Sequence, residues 1–264
     1  MSTPQNGAAR GEPALLECRA LVVGHQGHGI LPALDLTIRP GQLWAVIGRN
    51  GSGKTTWLRT LLGLLPPVSG RVHFATARPR LTYLAQRQAF DDHYPLRVRD
   101  IVAMGTDRDR SCFFPRPRQT AQIVQRELAR VGATELSGRP FRELSEGQKQ
   151  RVLFARVAAS EPDLAVLDEP TSAMDLVAEQ EAWQLLERLR RETRLALIVV
   201  SHYVGLAGRF ADQLVFLDRD TPAAIVGKPR EVFEHAVFRE RYGDTPEPKS
   251  PLTSTSPSPS GSTS

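Results

Sequence analysis

One stretch of the chain carries a complete phosphate-loop pattern: Gly48-Arg49-Asn50-Gly51-Ser52-Gly53-Lys54-Thr55. It matches G-x-x-x-x-G-K-[ST] at every defined position. The apolar run 43–47 before it predicts a buried strand, and residues 55–62 after it predict a helix, which is the context that the pattern requires. A glycine-rich turn that binds nothing rarely satisfies the pattern and both flanks together. The stretch therefore predicts a nucleotide-binding site.

Each part of the loop has an expected partner on the nucleotide. We expect Lys54 to reach the β- and γ-phosphates and the Thr55 hydroxyl to ligate Mg²⁺. Thr56 is expected to hold the α-phosphate side. The glycines let backbone N–H groups point at phosphate oxygens from the positive end of the helix. We assign five further loop residues to the nucleotide: Gly48, Asn50, Gly51, Ser52 and Gly53.

Composition narrows the class of protein. A chain of 264 residues with 41% hydrophobic residues can bury one substantial core, with room for a subdomain. The formal net charge of +5 is spread along the chain, which is typical of a solvated surface, so we expect no nucleic-acid partner. The two cysteines, Cys18 and Cys112, lack metal-ligand spacing and favour a reducing compartment. No run is long enough to cross a bilayer, and the start of the chain has no apolar signal-peptide core.

The order of the segments predicts an α/β protein. Residues 1–13 and 244–264 are polar and rich in small residues or in Pro, Ser and Thr, so we expect both ends to be disordered around a folded part spanning 14–243. Two strands ahead of the loop predict an antiparallel flap beside the main sheet. Residues 87–160 carry apolar side chains at helical spacing, which predicts an inserted helical subdomain. Strand patterns then return, a hairpin is expected over 213–227, and 230–241 predicts one last helix.

Polar residues follow three of the predicted strands. Asp168 and Glu169 come after the apolar run 164–167, His202 follows the run 195–200, and Gln86 follows the strand 80–85. Ligands of parallel sheets bind at the carboxyl ends of the strands. Beside a phosphate loop, Asp168 suits the Mg²⁺ and Glu169 suits the attacking water as a base. We expect His202 to contact the γ-phosphate and Gln86 to contact the metal and the water, although a lone His or Gln in a loop usually does neither.

A helix start is expected at residue 145. Ser145 and Gln148 have the spacing of a capping box, which predicts a helix over 148–159 with free N–H groups at its N-terminus. Such a terminus attracts anions. The simplest explanation of this pattern alone is an ordinary capped helix.

Together these segments resemble the nucleotide-binding subunit of an ATP-binding cassette (ABC) transporter. The resemblance covers the phosphate loop, Gln86, residues 144–148, 164–169 and 172–175, and His202. They fall in family order across nearly all of the folded part, and other phosphate-loop enzymes lack the 144–148 motif. The resemblance implies a mixed-sheet phosphate-loop fold of the ABC type that hydrolyses ATP with Mg²⁺.

The family arrangement implies that two subunits pair head to tail. Each ATP would then lie between the phosphate loop of one subunit and the helix start of the other, where Ser145, Gly147 and Gln148 contact it. Asp175 would lie in a loop that senses hydrolysis together with His202. These roles are implied by the resemblance, and the second subunit is expected to be an identical copy.

Two positions depart from the family pattern. Glu146 stands where L-S-G-G-Q usually has glycine, and its carboxylate either turns inward and repels ATP or points outward as an acid in the first helical turn. His25 stands where an aromatic residue normally stacks on adenine. Imidazole can stack less extensively, so we expect looser base selectivity.

Residues 86–105 resemble the docking segment of cassettes that serve manganese, zinc and iron-chelate importers. This implies a metal ion or metal chelate as cargo, an integral membrane permease, an extracytoplasmic solute-binding protein, and a place on the cytoplasmic face of the cell membrane. Two alternatives remain open: the ATPase of an exporter of lipid, drug or peptide, and a soluble cassette protein acting on ribosomes or DNA. Proteins of that last class commonly carry two cassettes or a long inserted coiled coil, and this sequence has neither.

Overall fold

The computed structural model describes residues 13–75, 79–86, 96–106, 118–172 and 174–243. The described strands are β1 (Leu16–Val22), β2 (Gly24–His25), β3 (His28–Gly29), β4 (Leu34–Ile38), β5 (Leu43–Ile47), β6 (Ser69–Phe74), β7 (Leu81–Leu84), β8 (Leu164–Asp168), β9 (Ala196–Val200), β10 (Gln213–Asp218) and β11 (Ala223–Gly227). The described α-helices are α1 (Lys54–Leu61), α2 (Val98–Ala103), α3 (Arg118–Arg130), α4 (Glu146–Ala159), α5 (Leu176–Thr193), α6 (Val204–Phe210), α7 (Pro229–Glu234) and α8 (Ala236–Tyr242).

The main sheet has six strands in the order β11-β10-β5-β9-β8-β7. Five of them are parallel, and β11 closes the edge antiparallel to β10, as the predicted hairpin requires. Because the carboxyl ends of parallel strands share one edge, the loops that follow β5, β7, β8 and β9 converge there. These are the loops that carry the predicted site residues.

The expected antiparallel flap is present as a second sheet of three strands in the order β4-β1-β6. A short hairpin of β2 and β3 follows β1. The flap places β2, and with it His25, on the side of the main sheet where α1 begins. The α/β class, the mixed sheet and the flap are therefore confirmed.

Apolar layers cover both faces of the main sheet. Along β5, Leu43, Ala45 and Ile47 pack into one buried cluster, while Trp44 and Val46 pack into the other. A strand buried on both faces reads as a continuous apolar run, which is why residues 43–47 show no alternation. One layer is shared with α1 and the flap, and the other with the helices that follow β7.

The helices between β7 and β8 pack on one another and share one buried cluster with a face of the main sheet. α2 ends at Ala103, and Met104–Thr106 forms a 3₁₀ turn. One predicted bound needs correction here. The helix expected over 148–159 begins at Glu146, because the cap at Ser145 places Glu146 and Gly147 in its first turn.

The prediction of a single last helix over 230–241 is wrong. The chain breaks at His235, whose backbone is extended (φ −67°, ψ 133°), and forms α7 and α8. The His235 side chain accepts a hydrogen bond from the backbone N–H of Val237 at 3.3 Å and caps the second helix. Both α7 and α8 have apolar residues at helical spacing, so the sequence did not indicate the boundary between them.

Some expectations fall outside the described ranges. They concern residues 1–12 at the start, the tail 244–264, Cys112, and positions 87–95 of the segment that resembles a docking surface. Among the described residues, no helix is both long and apolar enough to cross a membrane.

Candidate nucleotide-binding site

The phosphate loop joins the carboxyl end of β5 to α1 through a backbone that only glycine can supply at its first position. Gly48 has φ 154°, and a Cβ there would lie 2.3 Å from the Leu217 carbonyl oxygen and 2.5 Å from Ser52 Oγ. The Ser52 hydroxyl itself is buried and has no hydrogen-bond partner among the described residues. A tight loop with an unsatisfied inner hydroxyl fits a site whose missing partner is a ligand oxygen.

Lys54 lies inside this loop. Its Nζ donates to the carbonyl oxygens of Gly48 at 2.8 Å and Arg49 at 3.1 Å, and the residue is only 6% exposed. Burial lowers the pKa of the Lys54 ammonium, while the nearby Glu169 and Asp168 carboxylates act in the opposite direction. The positive charge is therefore held at the centre of the loop by fixed backbone dipoles.

Asp168 ends β8 and is buried beside the loop. Its Oδ2 accepts a hydrogen bond from the Tyr83 hydroxyl at 3.0 Å. Burial raises the pKa of the Asp168 carboxyl, and the hydrogen bond from Tyr83 opposes that shift. Burial, followed by the Asp168 charge, raises the pKa of Tyr83 to about 12. No sequence pattern indicates this bond, because Tyr83 lies on the neighbouring strand, far from Asp168 along the chain.

Glu169 is held from two sides. His202 Nε2 lies 2.6 Å from Glu169 Oε1, and Gln86 Nε2 donates to Glu169 Oε2 at 2.5 Å. Its backbone has φ 49°, a left-handed conformation that is uncommon for glutamate. Backbone strain of this kind clusters at functional sites. The structure thus brings together the three residues that follow β7, β8 and β9.

A cavity of about 440 Å³ joins these features. Predicted residues from the flap, the loop and the strand ends line it: His25, Asn50, Gly51, Gly53, Lys54, Thr55, Thr56, Gln86 and Glu169. Two residues that sequence reasoning missed, Ile30 and Arg219, also line it. Arg219 follows β10 in a polar turn, where a lone arginine gives no signal of a site. It adds a cation to the wall of the cavity.

His25 lies where the flap meets α1. Its Nε2 is 3.2 Å from Thr56 Oγ1, and the imidazole is exposed at the cavity. The side chain is therefore at the cavity mouth, beside the first turn of α1.

The helix start at residue 145 lies apart from this cavity. Ser145 Oγ accepts from the Gln148 backbone N–H at 3.3 Å, and Gln148 Oε1 accepts from the Ser145 N–H at 3.1 Å. Glu146 is exposed and pairs with Lys149 at 2.8 Å. Its carboxylate therefore points outward, which decides between the two orientations considered above. Ser145, Gly147 and Gln148 line a different cleft, between α4 and α5, of about 680 Å³.

Asp175 also lies outside the cavity and caps α5. Its Oδ1 accepts from the Ala178 N–H at 2.8 Å. Within the described ranges, no three His, Cys, Asp or Glu side chains cluster so as to hold a metal ion by themselves. Mg²⁺ in nucleotide sites usually takes one or two protein ligands together with phosphate oxygens, and Thr55 with Asp168 fits that pattern.

The sheet, the loop and the cavity define a nucleotide-binding protein of the phosphate-loop class. The profile of the ABC transporter family matches residues 31–172. The chain is 34% identical over 230 residues to the zinc import ATP-binding protein ZnuC of Pseudomonas entomophila, covering 87% of this chain and 84% of the relative. It is 35% identical over 231 residues to the protein of the same name from Cereibacter sphaeroides, covering 87% and 88%.

Solved structures agree with this comparison. A metal-chelate type ABC transporter in an inward-facing conformation matches with a TM-score of 0.74 and 28% identity, covering 83% of this chain and 84% of that one. CbiO1 of Clostridium perfringens, part of the ABC transporter complex cbiONQ, matches with a TM-score of 0.73 and 26% identity, covering 87% and 94%. The chain belongs to the ABC transporter family, as an ATP-binding subunit with ATPase activity.

Proposed function

We propose that this chain hydrolyses ATP to energise the import of a metal ion or metal chelate through a separate membrane permease. One observation carries the catalytic part: Glu169, held by Gln86 and His202, lies in the same cavity as Lys54. A fixed carboxylate facing a fixed cation suits a general base beside a phosphate site.

The phosphate loop binds the triphosphate in this proposal. Backbone N–H groups at Gly51 and Gly53 and the positive end of α1 attract the phosphate oxygens. Lys54 neutralises charge on the β- and γ-phosphates, Asn50 borders the γ-phosphate, and Thr56 holds the α-phosphate side. His25 lies at the cavity mouth, where it would stack on the base.

Mg²⁺ would be held by Thr55, Asp168 and Gln86 around the phosphates. When bound, it would neutralise the negative charge that develops on the phosphate oxygens. Thr55 is exposed and lines the cavity, and the buried Asp168 carboxyl accepts a hydrogen bond from Tyr83. Burial raises the pKa of Asp168, and a cation beside it would favour the ionised form.

Glu169 accepts the proton of the attacking water in this mechanism. The imidazole of His202 and the amide of Gln86 fix both carboxylate oxygens, so the base needs little reorganisation before it reacts. We also expect His202 to contact the γ-phosphate. The water loses its proton to Glu169, and the oxygen attacks phosphorus as ADP leaves.

A second copy completes the site. The Ser145 helix start and Asp175 lie outside the cavity of their own subunit, which fits roles at the ATP of a partner subunit. Ser145, Gly147 and Gln148 present the N-terminus of α4, a 14-residue helix, as an anion site. The outward Glu146 carboxylate leaves that terminus accessible.

The names of the relatives support metal import over the exporter alternative. The ZnuC proteins are zinc import subunits, and the solved neighbour is of a metal-chelate type. An importer ATPase of this kind works at the cytoplasmic face of the membrane, with an integral permease and an extracytoplasmic solute-binding protein. Transport of zinc, manganese and ferric chelates by the chain reconstituted with its permease and binding protein tests the cargo, and ATP-dependent uptake of none of them would contradict it.

The nucleotide site is tested by Lys54→Ala. Loss of the buried ammonium removes the fixed charge at the phosphates, so we expect ATP turnover to fall at least about a hundredfold. Turnover by the full chain and binding of a fluorescent ATP analogue measure the effect. Lys228→Ala, which alters a residue at the cap of α7, is the matched control. Normal turnover in Lys54→Ala would overturn the assignment.

A further inference from the structure

The first turn of α5 contains a carboxyl group that the mechanism above does not use. Glu179 is 0% exposed, although it lies only four residues after the cap at Asp175. Burial raises the pKa of the Glu179 carboxyl, and Thr171, Trp183, Ser201 and His202 each act against that shift. A buried carboxyl is costly unless hydrogen bonds hold it, so its contacts indicate what it does.

The contacts of Glu179 lead to the loop that carries His202. Glu179 Oε1 lies 3.3 Å from Ser201 Oγ, and Ser201 Oγ accepts the backbone N–H of Tyr203 at 3.0 Å. The Ser201 hydroxyl donates to the carboxyl oxygen and accepts from the Tyr203 N–H. It thus connects Glu179 to the backbone N–H that directly follows His202.

Two further side chains, those of Trp183 and Thr171, lie close to the same carboxyl group. Trp183 Nε1 donates to Glu179 Oε1 at 3.4 Å, which anchors it within α5. The Thr171 hydroxyl, two residues after Glu169, lies close enough to lower the pKa of Glu179. Oε2 nevertheless makes no hydrogen bond of normal geometry among the described residues. The hydrogen bonds from Ser201 and from Trp183 are therefore both made to Oε1.

We propose that Glu179 is a positioning residue for hydrolysis: through Ser201 it sets the position of His202, and His202 in turn holds the Glu169 carboxylate at 2.6 Å. The inference rests on the proposed ATPase mechanism. It links the start of α5, which follows the Asp175 cap, to the two residues nearest the attacking water. A movement of α5 on contact with a partner subunit would reach the base through three side chains.

A purely structural role is the competing explanation, since an acid near a helix N-terminus is stabilising. The two roles differ in what they change. Loss of a structural acid lowers stability and leaves the kinetics of the folded fraction alone. Loss of a positioning group lowers kcat with little change in the KM for ATP, because the phosphate loop still binds the nucleotide.

The test compares kcat and KM for ATP in variants of the full chain. Glu179→Gln keeps an oxygen that accepts from Ser201, so we expect kcat within about twofold of the parent. Glu179→Leu removes the acceptor and is expected to lower kcat about tenfold or more, with KM within about twofold. Ser201→Ala should give the same loss, and the Ser201→Ala/Glu179→Leu double variant should lose no more than either single variant.

Trp183→Phe is the matched control, because it removes the other hydrogen bond to Glu179 Oε1 and leaves the Ser201 contact in place. We expect its kcat to stay near the parent value. The inference is overturned if Ser201→Ala keeps the parent kcat, if Glu179→Gln loses as much as Glu179→Leu, or if the double variant loses the product of both factors. Should Glu179→Leu not fold, the Ser201→Ala and Glu179→Gln results decide alone.

The outcomes also separate this inference from the proposed function. If the parent chain does not hydrolyse ATP, or Lys54→Ala hydrolyses it normally, the proposed site itself is wrong. If hydrolysis depends on Lys54 but not on Ser201, only the role of Glu179 is wrong.

Discussion

At the scale of single residues, the fold accommodates Glu146 at a position where the family motif usually has glycine. Its carboxylate is 61% exposed and pairs with Lys149 rather than pointing across the helix start. An acid in the first turn of α4 also interacts favourably with the helix dipole. The substitution at this position therefore adds a surface charge without filling the space that a phosphate needs.

Glu146→Gly tests this account. Since the exposed pair contributes at most about 1 kcal/mol and glycine costs a helix about 1 kcal/mol, we expect a small loss of stability. We expect kcat for ATP to stay equal or rise. Thermal unfolding and ATP turnover of the full chain measure both, and Glu146→Gln separates charge from helix propensity. A clear loss of turnover in both variants would mean that the carboxylate contributes to the reaction.

The residues that could be assigned from the sequence are those defined by local patterns. Lys54 and Thr55 follow from one contiguous motif, and Glu169 follows from its place after an apolar strand. Glu179 and Arg219 gave no such signal, because burial against Ser201 and proximity to the loop depend on segments far apart in the chain. Sequence periodicity reports one element at a time, whereas these roles arise between elements.

At the scale of elements, α8 is fastened to the end of β10 by a charged pair. Arg241 contacts the buried Asp218 carboxylate and reaches Asp220 at 3.1 Å. Burial alone would raise the pKa of Asp218, but the hydrogen bonds from Arg241 and from the Thr221 and Asp220 backbone N–H groups outweigh it and lower the pKa. Such a pair stabilises the folded chain only while the carboxyl is ionised.

Arg241→Leu should lower the Tm at neutral pH. The folded-state pKa of Asp218 lies below its ordinary value, so its stabilisation is full above that ordinary value and is lost as pH falls through the folded-state pKa. The difference in Tm between parent and variant should therefore shrink toward zero in acid. Arg239→Leu, on an exposed position of the same helix, is the control. A difference in Tm that is independent of pH would show that Arg241 acts by packing alone.

The boundaries of elements were harder to predict than their existence. The strands β5, β8 and β9 were expected because each is a buried apolar run. The break between α7 and α8 was not, since a single extended residue at His235 leaves the helical spacing on both sides intact. A histidine that caps a helix through its ring nitrogen has no distinctive sequence pattern.

At the scale of the whole molecule, the strand order β11-β10-β5-β9-β8-β7 decides which loops meet. The sequence predicted that parallel strands would converge at one edge, but not which strands are neighbours. In the structure β5 lies between β9 and β10, so the phosphate loop has the His202 loop on one side and the Arg219 turn on the other. The site is a property of this order, and four of the residues predicted to contact ATP lie outside it: Ser145, Gly147, Gln148 and Asp175.

Because some of the predicted ATP contacts lie in the cavity and others lie outside it, we expect two copies of the chain to form a dimer when ATP is bound. Ser145 and Asp175 lie outside the cavity, and beside Asp175 the apolar side chains of Leu176 and Val177 are 58% and 70% exposed. Exposed apolar side chains that adjoin functional residues commonly mark an interface. A nucleotide held between two copies would cover them.

Glu169→Gln should make this dimer observable. The amide keeps the size of the side chain and one accepting oxygen but cannot take the proton of water, so ATP persists and the two copies stay together. We expect gel filtration with Mg²⁺ and ATP to shift the variant from the mass of one chain to that of two, and turnover to fall about a hundredfold or more. Adding Lys54→Ala should return the variant to the monomer, because the bridging nucleotide no longer binds. A Glu169→Gln chain that remains monomeric at saturating Mg²⁺ and ATP would count against both the base assignment and the paired arrangement. Dimerisation without nucleotide would show that the interface forms independently of the nucleotide site.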